Sequence, residues 1–208
     1  MNGTVAEPPR SWTPGDIVGL LERRWSPKTF SPRPIEPAKL AKLFEAARWA
    51  PSSYNAQPWA FIVARREDAE GYTRLLSTLV DVNRQWAQQA PVLILAVAKI
   101  EVDHVARPNR HALYDLGQAV ANLTVQATAL DLQIHQMGGF DGRAARELFA
   151  IPTGYEPVAV LALGYEEGPQ EGRAARTRKP LADFVFSGSW GRAAAVVAET
   201  QNQGARDA

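Results

Sequence analysis

Nine residues, Pro51-Ser52-Ser53-Tyr54-Asn55-Ala56-Gln57-Pro58-Trp59, place two serine hydroxyls, two side-chain amides and two prolines between a helical pattern and an apolar strand. Proline fixes φ and lacks an N–H, so this loop is stiff. Serine and asparagine favour turns because their side chains compete for backbone hydrogen bonds. A stiff polar loop on a scaffold suits ligand binding. Upstream, Arg24-Trp25-Ser26-Pro27-Lys28 groups two cations and a hydroxyl near a helix end. A guanidinium fork matches phosphate oxygens and a lysine adds a point charge; the same composition also describes a solvated loop. Arg176-Thr177-Arg178-Lys179 is a second basic cluster with the same two readings. The two clusters could embrace one phosphate if the fold brings them together. Gln136-Met137-Gly138-Gly139-Phe140-Asp141 follows a strand pattern. Its paired glycines permit close approach of backbone to a ligand, or form a plain strand-to-helix turn capped by Asp141.

Other chemistries find little support. The chain has no cysteine, which removes disulfides, thiolate metal sites and cysteine nucleophiles. His104, His111 and His135 form no metal-binding spacing. No serine sits in a G-x-S-x-G elbow, and the G-x-G-x-x-G dinucleotide fingerprint is absent. Asp115 and Asp131 are candidate catalytic carboxylates or residues of a helix surface or cap. The six tryptophans suit a core, an interface or a flat cofactor. A formal charge of +1 argues against general nucleic-acid binding. Met1–Arg10 holds no signal-peptide core, and the apolar run Pro91–Ala98 is too short to span a bilayer. The sequence therefore predicts a soluble cytoplasmic protein with neither nucleic-acid nor membrane partners.

Those groups need a scaffold, and 208 residues, 46% of them hydrophobic, suffice for one core. Residues 1–12 read as a flexible arm. Thr13-Pro14-Gly15-Asp16 starts a helix carrying Ile17, Leu20, Leu21 and Trp25. A second helix runs from Pro37 to Trp49 and stops at Pro51. Phe61–Ala64 is a short strand, Leu75–Gln89 a surface helix, and Val92–Val97 a strand covered on both faces. His104–Arg110 reads as a loop. Leu113, Leu116, Val120, Leu123, Ala127 and Leu130 mark the longest helix. A strand at Gln133–Gln136, a helix from Asp141 to Phe149 and a strand at Pro157–Leu163 follow. Arg173–Arg192 is irregular, and 193–208 holds a terminal helix and tail. The connections are not uniform βαβ units, so the expectation is an α+β fold with a mixed central sheet flanked by helices, forming one domain over 13–192.

The order of the polar segments resembles the nitroreductase family from about Ile17 to Trp190. Pro51–Trp59 is similar to that family's Pro-Ser-Ser-x-Asn-x-Gln-Pro-Trp loop, and Arg24–Lys28 resembles its Arg-x-Ser-x-Arg/Lys segment. The resemblance implies a nitroreductase-like fold, an intertwined homodimer, bound FMN, and NADH or NADPH as electron donor. It assigns Arg24, Trp25, Ser26 and Lys28 to the flavin phosphate. Pro51, Ser52, Ser53, Asn55 and Gln57 reach the ribityl and phosphate across the dimer interface. Asn83 faces the flavin pyrimidine; Gln136, Met137, Gly138 and Gly139 present backbone N–H groups to the ring; Arg176 and Arg178 close on the phosphate. A C-terminal arm at about 180–192, with Phe184, Val185, Phe186 and Trp190, wraps the partner. Hydride passes from NAD(P)H through flavin to nitroaromatics, quinones or similar small acceptors by a ping-pong mechanism. No protein catalytic residue and no metal are needed, since the flavin carries the chemistry. Same-fold reductive dehalogenation or flavin breakdown is the alternative enzymatic reading, and a non-catalytic flavin-binding redox module is a third. Trp86 stands where better-known members carry a cation, and Gly138 where some carry glutamate.

Overall fold

A computed structural model describes residues 19–102, 105–168 and 177–197. Its centre is Val92–Lys99 (β2), whose residues from 92 to 98 are all buried. Val92, Ile94, Ala96 and Ala98 enter one apolar cluster; Leu93, Leu95 and Val97 enter another. Strand side chains alternate between faces, so an unbroken apolar run is what a strand with helices on both sides requires. Trp59–Arg65 (β1), β2, Tyr155–Gly164 (β6) and Gln133–Met137 (β5) form a four-stranded sheet in the order β1-β2-β6-β5.

One face is covered by Pro37–Arg48 (α2) and Ala112–Ala129 (α5). Pro37 stands at the start of α2, where a missing N–H does no harm. Leu116, Ala119, Val120, Leu123 and Ala127 give α5 its buried stripe. The opposite face is covered by Ala69–Ser77 (α3), Asp81–Ala87 (α4) and Gly142–Leu148 (α6), through Tyr72, Leu75, Ala87 and Ala145. The α+β layering is the one expected from sequence.

Four details differ. All three pairings in the sheet are antiparallel, not mixed. The helix expected over 75–89 is two helices, α3 and α4, broken at Thr78-Leu79-Val80. There the Val80 N–H donates to the Gly139 carbonyl (3.1 Å), the Asp141 N–H donates to the Thr78 carbonyl (2.7 Å), and Leu79 bridges to Phe140. These long-range bonds outweigh helical periodicity. Val105–Pro108 (β4) pairs with Glu101–Val102 (β3), where a loop was expected. Gly19–Arg23 (α1) ends before Trp25, which lies in the following segment. The arm at 1–12 and the Thr13 helix start lie outside the described residues.

Residues 177–197 belong to a second compact unit. Leu181–Asp183 forms a 3₁₀ turn, Phe186 bridges to Ala193, and the Phe186 and Trp190 rings lie 5.1 Å apart. Phe184 is exposed and Trp190 is 92% exposed. Residues 195–197 are helical.

Candidate functional site

The cationic segment is fastened to β5 by alternate side chains of that strand. The Trp25 N–H donates to Gln133 Oε1 (3.1 Å), and His135 Nδ1 lies 2.8 Å from the Pro27 carbonyl. A carbonyl only accepts, so Nδ1 carries the proton. The Trp86 ring packs on His135 at 4.4 Å between centroids and stacks with Phe30 at 6.5 Å. Burial pushes the His135 pKa below its ordinary value; the Pro27 carbonyl opposes this, and the Lys28 and Arg24 charges reinforce it. Pro27 and Phe30 are buried, whereas Ser26 and Lys28 are exposed and Arg24 is half-buried. Arg24 Nη1 donates to Ser26 Oγ (3.0 Å). The segment thus presents a guanidinium, a hydroxyl and an ammonium on an anchored backbone, a donor set matched to phosphate.

At its far end β5 runs into the paired glycines. Met137 is buried, while Gln136 is exposed, with Nε2 3.4 Å from Thr124 Oγ1 on α5. A Cβ at Gly138 would meet nothing within 4 Å, so its backbone borders open space. Gly139 is different. A Cβ there would fall 2.7 Å from Asn83 Nδ2 and 3.0 Å from Val80 Cγ2. Asn83 Nδ2 donates to the Gly139 carbonyl (3.1 Å), so Asn83 and the glycine pair are brought together by a direct bond. The turn reading also holds: Asp141 Oδ1 accepts from the Ala144 N–H (2.9 Å) and caps α6.

The loop from Pro51 is held by α5. The Ser53 N–H donates to Asp115 Oδ2 (3.1 Å), and Gln118 Nε2 lies 3.5 Å from the Pro51 carbonyl. Ser52 Oγ accepts from the Gln57 N–H (3.0 Å), and the Lys99 N–H donates to the Pro58 carbonyl (2.8 Å). Tyr54, Asn55 and Gln57 have φ of 52°, 54° and 46°. Left-handed backbone at non-glycine residues costs on the order of 1 kcal/mol each and gathers at functional sites. Asn55 and Gln57 are exposed, and Tyr54 is 100% exposed. Asp115 holds this loop nine residues before Thr124, which meets Gln136. At 1.5 Å per residue, the two attachments stand about 13 Å apart along α5.

The structure therefore ties the Arg24–Lys28 segment to β5 at Gln133 and His135, through Trp25 and Pro27, and ties Asn83 to the glycines that follow the far end of that strand. It places Pro51, Ser52, Ser53, Asn55 and Gln57 at a separate station on α5. In the C-terminal unit Arg178 is exposed, with Nη1 3.1 Å from the Thr177 carbonyl; Arg176 lies outside the described residues. Gln133, His135 and Trp86 escape the sequence reading as positioning groups. The visible signal is the polar-apolar alternation of Gln133-Ile134-His135. Asp115, a candidate for catalysis or capping by sequence, is 2% exposed and bonded to the loop. Among the described residues no group of histidines and carboxylates could hold a metal, and no helix is long and apolar enough to cross a membrane.

Comparison with known proteins bears on this arrangement. Residues 21–165 match the model of the Nitroreductase family. The chain is 33% identical over 145 residues to an uncharacterized 15.4 kDa protein of Mycolicibacterium smegmatis, spanning 63% of this chain and 97% of that one. It is 26% identical over 215 residues to the major NAD(P)H-flavin oxidoreductase of Aliivibrio fischeri, spanning 81% and 97%. Its fold matches a crystal structure of an oxidoreductase containing FMN with a TM-score of 0.78 at 30% identity, over 86% of this chain and 95% of that one. With 145 consecutive residues inside the family model and every strand of the central sheet among them, the chain belongs to the nitroreductase family.

Proposed function

We propose that this protein is an FMN-dependent NAD(P)H oxidoreductase that reduces nitroaromatics, quinones or similar small acceptors in the cytoplasm. The observation that carries the reading is the joining of Arg24–Lys28 to Gln136–Gly139 through one strand, β5, by way of Gln133 and His135. A phosphate-matched donor set and an open glycine backbone then lie along a single element, as a phosphorylated flat cofactor requires. The residues fit FMN: Arg24, Ser26 and Lys28 would hold the phosphate, and the backbone of Met137–Gly139 would face the ring. Asn83 fixes the Gly139 carbonyl and so holds the peptide that joins Gly139 to Phe140. FMN, when bound, supplies the hydride transfer. The chain's task is to bind it, fix its orientation and leave one face open to donor and acceptor in turn, which gives ping-pong kinetics.

Trp86 offers no charge to the ring; it packs against His135 and Phe30 and braces the cationic segment. Arg178 and Arg176 are assigned to the phosphate by the family resemblance alone.

The functional unit is a homodimer in which the Ser52–Gln57 loop of one copy completes the site of the other. The loop's separate station on α5 supports this. So does the surface of the helix that holds it: Leu113 and Tyr114 are exposed large apolar groups of α5, on the same helix as exposed Gly117 and Ala121. Apolar groups clustered in this way mark an interaction surface. In this reading residues 180–192 wrap the partner.

The purified protein is expected to be yellow or to become so with FMN. Anaerobic NADH or NADPH should bleach the colour, and a quinone or nitroaromatic should restore it. Bound FMN that no nicotinamide bleaches would refute the oxidoreductase reading, and a protein that takes up no FMN would refute the cofactor assignment. A monomer that still binds FMN at full stoichiometry would refute the shared site.

A further inference from the structure

Asp115 is buried in the first turn of α5 with only 2% exposure. A buried carboxylate is unfavourable unless hydrogen bonds compensate, so its position calls for partners. The helix's own capping does not use it, because the cap residue is His111. Its bond reaches 62 positions back in sequence to the Ser53 N–H, at 3.1 Å. One turn further along α5, Gln118 Nε2 approaches the Pro51 carbonyl. The first turns of α5 therefore hold residues 51–53, immediately before the left-handed positions Tyr54, Asn55 and Gln57. Left to itself, this stretch has cheaper backbone conformations. Ser52 Oγ closes it from within by accepting from the Gln57 N–H, and the Lys99 N–H fixes its exit at Pro58.

We propose that Asp115 is a positioning residue: it clamps Ser53 and thereby presets the 52–57 loop in its ligand-binding shape before any ligand arrives. It touches neither flavin nor substrate. Its effect is to remove the ordering cost that a floppy loop would charge against binding. The functional half of this inference rests on the FMN reading; the clamp itself does not.

Two measurements test it. The first is amide hydrogen exchange on the protein without added flavin. Ser53 should be protected in the wild type. In Asp115→Ala its exchange should accelerate roughly tenfold or more, as loss of one charge-assisted hydrogen bond implies, while Leu116, Ala119 and Val120 in α5 keep their protection. An unprotected Ser53 amide in the wild type overturns the proposal, as does an unchanged rate in the variant. The second is FMN titration. Asp115→Ala should bind roughly tenfold more weakly, and Asp115→Asn should return to within about threefold of wild type, because its amide oxygen accepts the same bond. Tyr54→Gly in the Asp115→Ala background should recover part of the loss, since glycine adopts positive φ freely; a merely structural defect in α5 would not respond to that change. Equal affinity in wild type and Asp115→Ala overturns the proposal. If Asp115→Ala does not fold, the wild-type exchange rate and Asp115→Asn decide. A wild type that binds no FMN yet protects Ser53 overturns the functional reading and leaves the clamp in place.

Discussion

Replacing Gly139 by alanine should loosen the joint between α4 and the end of β5, and its size can be worked out. The new Cβ would sit 2.7 Å from Asn83 Nδ2 and 3.0 Å from Val80 Cγ2. Neither distance is tolerable, so something moves. Val80 is β-branched and stiff at χ1, and its N–H is already committed to the Gly139 carbonyl. Asn83 gives way more easily, since the offending atom is the end of its side chain. In rotating away it forfeits its 3.1 Å bond to the same carbonyl. One such bond is worth about 0.5–1.5 kcal/mol. A residual squeeze on Val80 adds a few tenths, at the low end of overpacking costs. The expected loss is thus about 1–2 kcal/mol. For a chain of this size that is a fall of roughly 2–8 °C in Tm. Gly138→Ala is the control: its Cβ would meet nothing within 4 Å, so the melt should stay within about 1 °C of wild type if packing alone governs. Thermal melts of the three proteins without added flavin decide the matter. Gly139→Ala melting with the wild type, or Gly138→Ala falling as far, would refute the geometry. FMN titration adds a second readout, since the glycine pair proposed to border the ring would shift.

Arg24→Ala and Lys28→Ala should each weaken FMN binding by roughly tenfold, the loss of one charge-assisted contact. The exposed Lys28 contribution should fade with added salt more than that of half-buried Arg24; salt-independent affinity in the wild type would contradict a phosphate role for both. His135 gives a pH signature. Its folded pKa lies below its ordinary 6.5 because burial disfavours the charged form. The unfolded chain then protonates first, so the stabilisation is full above about 6.5 and is lost as pH falls through that value. Urea midpoints should drop more between pH 7.5 and 5.5 for wild type than for His135→Asn; parallel drops would refute it.

Much of this fold is written locally. The apolar run Val92–Val97 announces a strand sandwiched between layers, and the three-and-four spacing from Leu113 to Leu130 announces α5; both depend on near neighbours in sequence. What escapes depends on distant ones. The periodicity of 75–89 reads as one helix, yet Thr78-Leu79-Val80 spend their hydrogen-bonding groups on Gly139, Phe140 and Asp141, some sixty positions away. Nothing near Thr78 signals that partner. His135 looks like one of three scattered histidines because its roles come from Pro27 and Trp86, on two other elements. Asp115 is ambiguous for the same reason: whether a carboxylate in a helix's first turn serves the helix or a loop depends on what the fold lays against it.

The strand β5 shows how little sequence is needed once neighbours are in place. Its side chains alternate between faces. Gln133, His135 and Met137 point to the layer of α3, α4 and α6: Met137 joins that apolar cluster, His135 meets Trp86 of α4, and Gln133 reaches the Trp25 N–H. Ile134 and Gln136 point to α5: Ile134 joins its cluster and Gln136 meets Thr124. Five residues thus tie the cationic segment to one layer through Gln133 and His135 and reach α5 through Ile134 and Gln136. A one-residue slip would exchange the two sets, sending His135 toward α5 and Ile134 toward Pro27. The apolar cost of burying His135 among Leu116 and Leu123 opposes that slip, as does the loss of both bonds to the 24–28 segment. The same alternation that specifies the register therefore specifies where the donors stand, and site and sheet are fixed by one pattern.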